Sequence, residues 1–251
     1  MSNKEYIRDP SLQSLLKKFK SEDYFIIPAY QRSYAWNKDR VISFWDELLI
    51  PDNKSEYNLS FSGSIILKNN KDKDPKNSYE IIDGQQRFIT ISILIALIRD
   101  YSKFLLKTKY KKNDKLSGQF NRIFQKTQDM LKIEDGWTGD GKPRINVGRV
   151  IKDYYDKIIV ESYDYEKNMK KPFSSLDNDS QRNILRNYKT FSAKLIEYIN
   201  IKSDNENEEY KIIINILDSL DEIEVIEIPV TDDVAAYEIF ETVNSKNEPL
   251  T

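Results

Sequence analysis

Apolar and polar positions along the chain follow two periods, which predict strands near both ends and helices between them. Short apolar runs at residues 24–27, 61–67, 79–82 and 223–230 indicate the strands of a small sheet. Between these ends, from about residue 107 to 222, apolar residues recur every three or four positions, as in helices packed on a core. The pattern predicts an α+β fold, mostly helical overall, in which a large helical insertion interrupts a mixed small sheet.

Two further helices are predicted in the first fifty residues. One begins near Ser11, and its core-facing residues are Leu12, Leu15, Leu16 and Phe19. The other follows Asn37, whose side chain can cap the first turn. Its core-facing residues are Val41, Phe44, Trp45, Leu48 and Leu49. A glycine-rich segment at residues 136–148 is predicted to be a loop or a small hairpin.

These predicted elements divide the chain into three parts. Residues 1–107 form the first portion of an α/β core, residues 108–222 a helical subdomain, and residues 223–251 a return of the chain to the core. We expect the late strand to join the early strands in one sheet. The chain stops just after a helix-ending turn, with an apolar residue in place to pack. We therefore expect it to be the front part of a longer protein.

Composition narrows the chemistry by exclusion. The chain has 251 residues, 39% of them hydrophobic, but no cysteine and no histidine. Disulfides, zinc fingers and Ser-His-Asp triads are therefore excluded. Carboxylates, amides, Lys, Arg, Tyr and hydroxyls remain, with Mg²⁺ as the suitable metal. The apolar runs are too short to span a membrane, and the first residues lack the apolar region of a signal peptide. These features predict a cytoplasmic protein.

Charge is segregated along the chain, although the net charge is only −2. Between residues 103 and 126 there are eight basic residues and one acid, whereas residues 197–227 carry ten acids and two lysines. The basic segment predicts either a surface for a DNA backbone or an ordinary solvated helix face. The candidate DNA-backbone residues are Lys107, Lys109, Lys111, Lys112 and Lys115.

The segment Asp83-Gly84-Gln85-Gln86-Arg87 separates a short apolar run from a long one. This order predicts a strand, a turn at Gly84 and a buried helix whose first turn is polar. The first N–H groups of a helix have no partner within it, so such a start favours an anion. Arg87 can bind a phosphate through two parallel hydrogen bonds. The alternative is that Arg87 pairs with Asp83 and that the glutamines cap the helix.

A second polar segment, residues 28–36, reads Pro-Ala-Tyr-Gln-Arg-Ser-Tyr-Ala-Trp. Its three aromatic rings, one amide and one guanidinium can form the lip of a binding site, where a ring stacks on a base or covers a weakly hydrated atom. Alternatively, Tyr34 and Trp36 pack the sheet against the next helix, which we favour for Trp36. Tyr30 and Gln31 are the best candidates for ligand contact.

Three segments, 27–36, 82–87 and 239–244, together resemble the N-terminal domain of the GmrSD and SspE family of modification-dependent restriction proteins, over residues 11–251. The resemblance implies a ParB/sulfiredoxin-like core that binds and hydrolyses GTP or another NTP with Mg²⁺. It also implies sensing of modified phage or host DNA, with phosphorothioate links or glucosylated bases, and gating of a nuclease. The family's His-Asn-His nuclease domain is expected to be absent from this chain. The alternative is a non-catalytic, nucleotide-switched DNA-binding module of ParB-like type; a homodimer is left open.

The resemblance also implies roles for individual residues. The catalytic residues are Asp83, Gln85, Gln86 and Arg87. The nucleotide-binding residues are Gly84, Arg87, Asn244 and Lys246. The residues that sense modified DNA are Pro28, Ala29, Tyr30, Gln31, Arg32 and Tyr34. Asp83 would hold Mg²⁺ or a water, with helix capping as the alternative, and one of the two glutamines is expected to be structural. Lys246-Asn247 departs from the family pattern, which has Arg or Thr followed by Gly.

Overall fold

The fold is seen in a computed structural model that describes residues 10–49, 61–70, 77–133, 141–161, 163–203 and 208–245. The strands are β1 (Ser11–Ser14), β2 (Tyr24–Ile26), β3 (Phe61–Asn69), β4 (Ser78–Asp83), β5 (Lys132–Ile133), β6 (Lys142–Pro143), β7 (Ile145–Asn146) and β8 (Glu224–Val230). The helices are α1 (Lys17–Lys20), α2 (Lys38–Ser43), α3 (Gln85–Lys107), α4 (Asp114–Leu131), α5 (Arg149–Tyr155), α6 (Tyr165–Lys170), α7 (Asp179–Lys202), α8 (Glu208–Asp221) and α9 (Asp233–Ser245). Short π-helical segments, Phe44–Leu49 and Asp156–Val160, extend α2 and α5.

Six strands form one mixed sheet in the order β1-β8-β3-β4-β2-β7. The central strand β3 pairs antiparallel with β4 and parallel with β8, so the late strand lies beside the early ones. At one end, β2 pairs in parallel with both β4 and β7. The α+β, mostly helical fold class predicted from the sequence is confirmed.

The core lies on both faces of this sheet. On one face, α3 is buried along most of its 23 residues, and its Phe88 ring packs on Phe25 with ring centroids 4.8 Å apart. On the other face, α9 covers a smaller apolar cluster that includes Ile66, Ile82 and Ala236. A helix that is apolar all round must be enclosed on all sides, which explains why the helices from the middle of the chain pack around α3.

The predicted opening helix is wrong. Residues 11–14 form β1, which pairs antiparallel with β8, and only Lys17–Lys20 are helical. Leu15, Leu16 and Phe19 are buried as predicted, but Leu12 is 51% exposed. Four apolar residues at helical spacing are too few to determine the backbone conformation of so short a segment. The edge of β8 also offers a hydrogen-bonding partner that the sequence does not reveal.

The glycine-rich segment also differs in part from its prediction. β5 and β6 form a small two-stranded sheet, in line with the predicted hairpin, and residues 134–140 lie outside the described part. β7, however, joins the main sheet beside β2. The helical insertion therefore contributes one strand to the α/β core, and two residues are too few for a strand period to be recognised.

The helix predicted after Asn37 is confirmed. The Asn37 side chain accepts a hydrogen bond from the Arg40 N–H at 3.0 Å, which is the capping contact expected from the sequence. The predicted core residues Val41, Phe44, Trp45 and Leu49 are buried. This helix also carries Arg40.

A buried ion pair lies in the middle of α3. The Arg99 guanidinium is 2.8 Å from Asp100, and both side chains are fully buried. Arg99 also donates to the carbonyl oxygens of Ile159 and Val160, at 2.8 and 3.0 Å. These contacts fix the segment after α5 onto α3. Within the described residues, no helix combines the length and apolar character needed to cross a membrane.

Candidate functional site

The Asp83–Arg87 segment has the strand–turn–helix form that the sequence predicts. β4 ends at Asp83, Gly84 precedes the helix with φ of 99°, and α3 begins at Gln85. A Cβ atom on residue 84 would lie 2.7 Å from Cγ2 of Ile65. Both the positive φ and the close approach of β3 therefore require glycine at this turn.

Replacing Gly84 with alanine is expected to lower the free energy of unfolding by about 1–3 kcal/mol, because the left-handed backbone and the contact with Ile65 both disfavour a Cβ atom. Urea denaturation measures this. Gly118→Ala is the matched control: Gly118 is in α4 with open space around it, so alanine there should stabilise by about 0.5–1 kcal/mol. Equal stability of Gly84→Ala and the parent chain would contradict the prediction.

Arg87 bridges the turn and the neighbouring strand. Its Nη1 donates to the carbonyl oxygen of Ser62 at 2.7 Å, its Nη2 donates to that of Ser64, and Nη2 lies 3.5 Å from Oδ2 of Asp83. The Nε–H finds no acceptor among the described residues. The predicted Asp83–Arg87 pair is therefore present, but most of the guanidinium's hydrogen bonds go to β3.

A cavity of about 320 Å³ opens beside this guanidinium. It is lined by Arg87, Arg40, Ser43, Ser62 and Gly63, with Glu47 on the same wall, and we call it the Arg87 cavity. Gly63 has φ of 81°, and a Cβ atom there would lie 3.0 Å from Nη1 of Arg87. Gly63 thus makes room for the guanidinium.

Two cations and one anion line the Arg87 cavity: Arg40, Arg87 and Glu47. Burial lowers the pKa of Arg87 from its ordinary value, Asp83 opposes this, and the nearby charge of Arg40 lowers it further. Arginine keeps its proton in proteins, so two like charges face one polar cavity. Such a pair is relieved by an anion, and guanidinium groups match the geometry of phosphate oxygens.

Gln86 is the structural glutamine of the two. Its Oε1 accepts from the backbone N–H groups of Ala35 and Trp36, at 2.8 and 3.3 Å, and its Nε2 donates to the carbonyl oxygen of Ser33 at 3.3 Å. The side chain holds the segment 33–36 against α3. Both ends of its amide are bonded to the backbone, which fits the expectation that one of the two glutamines is structural and argues against a catalytic role for Gln86.

Gln85 faces a different cavity. Residues two apart on a helix are separated by roughly 200° around its axis, so Gln85 and Arg87 point to opposite sides. Gln85 is only 5% exposed, and its Oε1 has no hydrogen-bond partner among the described residues. It lines a cavity of about 120 Å³ that also includes Arg32 and Arg149, which we call the Gln85 cavity. The sequence motif is thus divided between two sites.

The predicted sensing segment is placed partly at the surface. Tyr30 is 74% exposed and Arg32 is exposed, whereas the Gln31 side chain donates to the carbonyl oxygen of Ile82 at 2.8 Å. The N–H of Gln31 also bonds to the carbonyl oxygen of Pro28 at 3.0 Å, which closes a turn around Ala29 and Tyr30. Tyr30 is therefore presented to solvent by a turn tied to the end of β4.

Tyr34 does not fit a sensing role. It is 1% exposed, and its hydroxyl lies 2.7 Å from the Thr90 hydroxyl and accepts from the Asn187 amide at 2.9 Å. Burial raises the pKa of its hydroxyl well above the ordinary value. These contacts fit the packing alternative weighed for Tyr34, which is enclosed between α3 and α7 and also lines the Gln85 cavity.

Two predicted nucleotide-binding residues are not located. Asn244 lies in the last turn of α9, but its side chain is outside the described part of the structure, as is the whole of Lys246. No contact between either residue and the Asp83 turn is therefore described. They remain predictions from the resemblance.

The five candidate lysines cluster around the corner between α3 and α4, and all are exposed. Lys109 differs from the rest because its Nζ lies 3.1 Å from Glu209. That buried carboxylate also accepts from Tyr101 and Tyr110, at 2.8 and 2.7 Å. Lys109 therefore already has a structural partner, whereas the other four point their charges to solvent.

The residues present fit Mg²⁺ only together with a phosphate ligand. In the described part of the chain, no group of three or more Asp or Glu side chains converges as a metal site. Glu47 lines the Arg87 cavity, and Asp83 lies outside that lining but 3.5 Å from Nη2 of Arg87. Mg²⁺ is commonly held by one or two carboxylates plus substrate phosphates, so this limited set of ligands suits it.

The residues of these cavities that sequence reasoning missed include Arg40, Ser43, Glu47, Ser62, Gly63 and Arg149. Only Gly63 left a signal, because an isolated glycine inside a strand pattern often marks a bulge or a close approach of another group. The pairing of β3 with β8 does shift register between Phe61 and Ser64. Arg40 and Arg149 belong to elements that meet the motif only in the folded chain.

The fold and cavities define an α+β domain with an arginine-lined pocket at a strand–helix turn. A family model described as the GmrSD restriction endonuclease N-terminal domain matches residues 12–251. The chain therefore belongs to this family and to a restriction system. Restriction endonucleases hydrolyse DNA, which makes DNA the substrate of the system. No curated protein matches the chain.

Proposed function

We propose that this domain binds GTP or another NTP with Mg²⁺ in the Arg87 cavity, hydrolyses it, and uses the nucleotide cycle to gate a nuclease when modified DNA is sensed. The observation that carries the proposal is the pair of guanidinium groups, Arg40 and Arg87, at one polar cavity beside a glycine turn. Family membership supports the restriction role.

The cavity offers the groups that phosphate binding needs. Arg87 and Arg40 supply positive charge, and Ser43 and Ser62 supply hydroxyl groups on the same wall. Gly84 allows the tight turn that brings Arg87 beside β3, because a Cβ atom there would meet Ile65 and the Arg87 guanidinium. A triphosphate would thus accept charge-assisted hydrogen bonds from both arginines.

Hydrolysis would depend mainly on charge stabilisation. In phosphoryl transfer, negative charge spreads over the oxygens of the transferred group, and a positioned arginine lowers the barrier. Arg87 suits this role because β3 carbonyls fix its guanidinium before any ligand arrives. Asp83 and Glu47 would hold Mg²⁺, which supplies further neutralisation of the phosphates when bound.

DNA sensing would occur next to this site. Tyr30, on the turn tied to β4, and Arg32 face solvent close to the start of α3. The exposed lysines at the α3–α4 corner, Lys107, Lys111, Lys112 and Lys115, would contact the DNA backbone without regard to sequence. Modified DNA and a nuclease domain or subunit are the proposed partners, with the cytoplasm as the compartment.

The test is nucleotide binding and phosphate release measured with each of four NTPs and Mg²⁺, with and without modified DNA. Arg40→Ala should weaken nucleotide affinity about tenfold, the loss of one charge-assisted contact. Lys38→Ala, which removes an exposed charge from the same helix outside the cavity, should stay within about twofold. Binding without phosphate release would favour the nucleotide-switched module. Binding of none of the NTPs would reject the proposal.

A further inference from the structure

The Gln85 cavity has an exposed rim and a buried floor. Arg32, Arg149 and Val150 form the rim, and Val150 is 60% exposed. Gln85 and Ile89 lie deeper, at 5% and 2% exposure. The rim is contributed by two parts of the chain, because Arg32 precedes α2 whereas Arg149 begins α5. The cavity is therefore completed only where the helical subdomain meets the α/β core.

The floor of the cavity holds an unsatisfied acceptor. Gln85 Oε1 is buried and has no partner among the described residues, although buried polar atoms in folded proteins are nearly always hydrogen-bonded. The lining is mainly apolar and includes Ile27, Ile89 and Ile151, with the Tyr34 ring among the other lining groups. Such a floor favours a flat, largely apolar group that carries an N–H donor at its edge.

The volume limits the ligand further. About 120 Å³ is roughly four times the share of one water molecule in the liquid, which suits a single nucleobase ring and not a whole nucleotide. The two rim arginines would then remain outside the base, where they can bind the phosphates on either side of it. An isolated anion would use the arginines but leave Gln85 unpaired.

We propose that the Gln85 cavity receives one nucleobase extruded from duplex DNA, with Gln85 Oε1 accepting from the base edge and Arg32 and Arg149 binding the flanking phosphates. This rests on the proposed DNA sensing and deepens it, because it assigns Gln85 and Arg149 to DNA and leaves Arg87 to the nucleotide. Enzymes that read or modify bases use pockets of this kind, where apolar walls stack on the base and polar groups read its edge.

The pocket is rigid enough for this role. The Tyr155 hydroxyl, near the end of α5, donates to the Ser92 hydroxyl of α3 at 2.9 Å. Gln86 fixes residues 33–36 to the same helix by three hydrogen bonds. Both rim segments are thus tied to α3, so the cavity does not have to be assembled when DNA arrives.

The test compares a matched duplex with one that carries a single mismatch, each with 2-aminopurine at the target position. Extrusion costs less at a mismatch, so the parent chain should bind the mismatched duplex about tenfold more tightly and raise the 2-aminopurine fluorescence. Arg149→Ala should lose about tenfold in DNA affinity with a lower salt dependence. Lys157→Ala, an exposed charge beyond the end of α5 and outside the cavity, should change affinity less than twofold.

Gln85→Leu separates binding from folding. Leucine removes an unpaired buried acceptor while keeping the shape, so the melting temperature should hold or rise, yet the mismatch preference should fall to within about twofold. Gln86→Leu, which breaks three hydrogen bonds, should lower the melting temperature instead. Equal binding of both duplexes by the parent chain, or an unchanged preference in Gln85→Leu, would overturn the extrusion site. Binding of no duplex at all would reject DNA sensing itself, whatever the nucleotide results.

Discussion

Replacing Arg99 with methionine is expected to lower the free energy of unfolding at pH 8 by about 3–5 kcal/mol, because it leaves the Asp100 carboxylate buried without its cation. For a chain of this size the melting temperature should fall by roughly 6–20 °C. The substitution also removes the hydrogen bonds from Arg99 to the carbonyl oxygens of Ile159 and Val160. These bonds hold the segment after α5 onto α3. Thermal and urea unfolding measure both effects.

The Arg99→Met penalty should depend on pH in a definite direction. Burial raises the pKa of Asp100 to about 6, and Arg99, Tyr188 and Asn168 oppose that rise. A carboxyl whose folded pKa lies above its unfolded value of about 3.9 loses stability as pH increases through that interval. In Arg99→Met the pKa of Asp100 rises further, so the pH interval over which the folded state loses stability extends upward. The decrease in the free energy of unfolding should therefore be smaller at pH 5 than at pH 8.

The control for this prediction is Arg182→Met. Arg182 pairs with the exposed Asp179 at 2.8 Å and donates to the Leu176 carbonyl oxygen at 3.0 Å, contacts that contribute about 1 kcal/mol each at such a site. Arg182→Met should therefore lower the free energy of unfolding only slightly, and by nearly the same amount at every pH between 5 and 8. If Arg99→Met behaved like Arg182→Met, or cost more at pH 5 than at pH 8, the buried pair would not have the role assigned to it.

Arg87→Ala is expected to reduce phosphate release from NTP by at least a hundredfold, since removing one preorganised donor to developing charge commonly costs 10²–10³ in rate. The effect should exceed that of Arg40→Ala because β3 carbonyls and Asp83 fix Arg87, whereas Arg40 is exposed. Single-turnover and steady-state phosphate release measure it. Nucleotide affinity should fall as well, by about tenfold.

Arg87→Lys tests whether a loss of phosphate release reflects the chemistry or only unfolding of the domain. Arg87 bonds two carbonyls of β3, so alanine will also remove structural contacts. Lysine keeps the charge but not the two parallel hydrogen bonds, and it should melt near the parent chain while releasing phosphate at least tenfold more slowly. A folded Arg87→Lys or Arg87→Ala variant with the parent rate would remove Arg87 from the chemistry.

The prediction of α3 succeeded because its signals are local. A long apolar run from Phe88, preceded by a glycine and three polar residues, can only be a buried helix behind a turn, and its predicted end at about Lys107 is confirmed. The Asn37 cap is a similar case, since capping depends on neighbouring N–H groups. The opening helix failed because its alternative, pairing with β8, depends on a strand more than 200 residues later in the chain.

The sequence alone determined which residues gather at the strand–helix turn, since Gly84, Arg87 and the polar amides are consecutive and their spacing follows from helix geometry. Only the tertiary structure decided which cavity each one faces: Gln86 bonds the 33–36 segment, Arg87 meets Arg40, and Gln85 meets Arg149. The reason is physical. A helix sends adjacent side chains in different directions, and what they find there is supplied by elements distant in sequence, α2, β3 and α5, which come together only on folding.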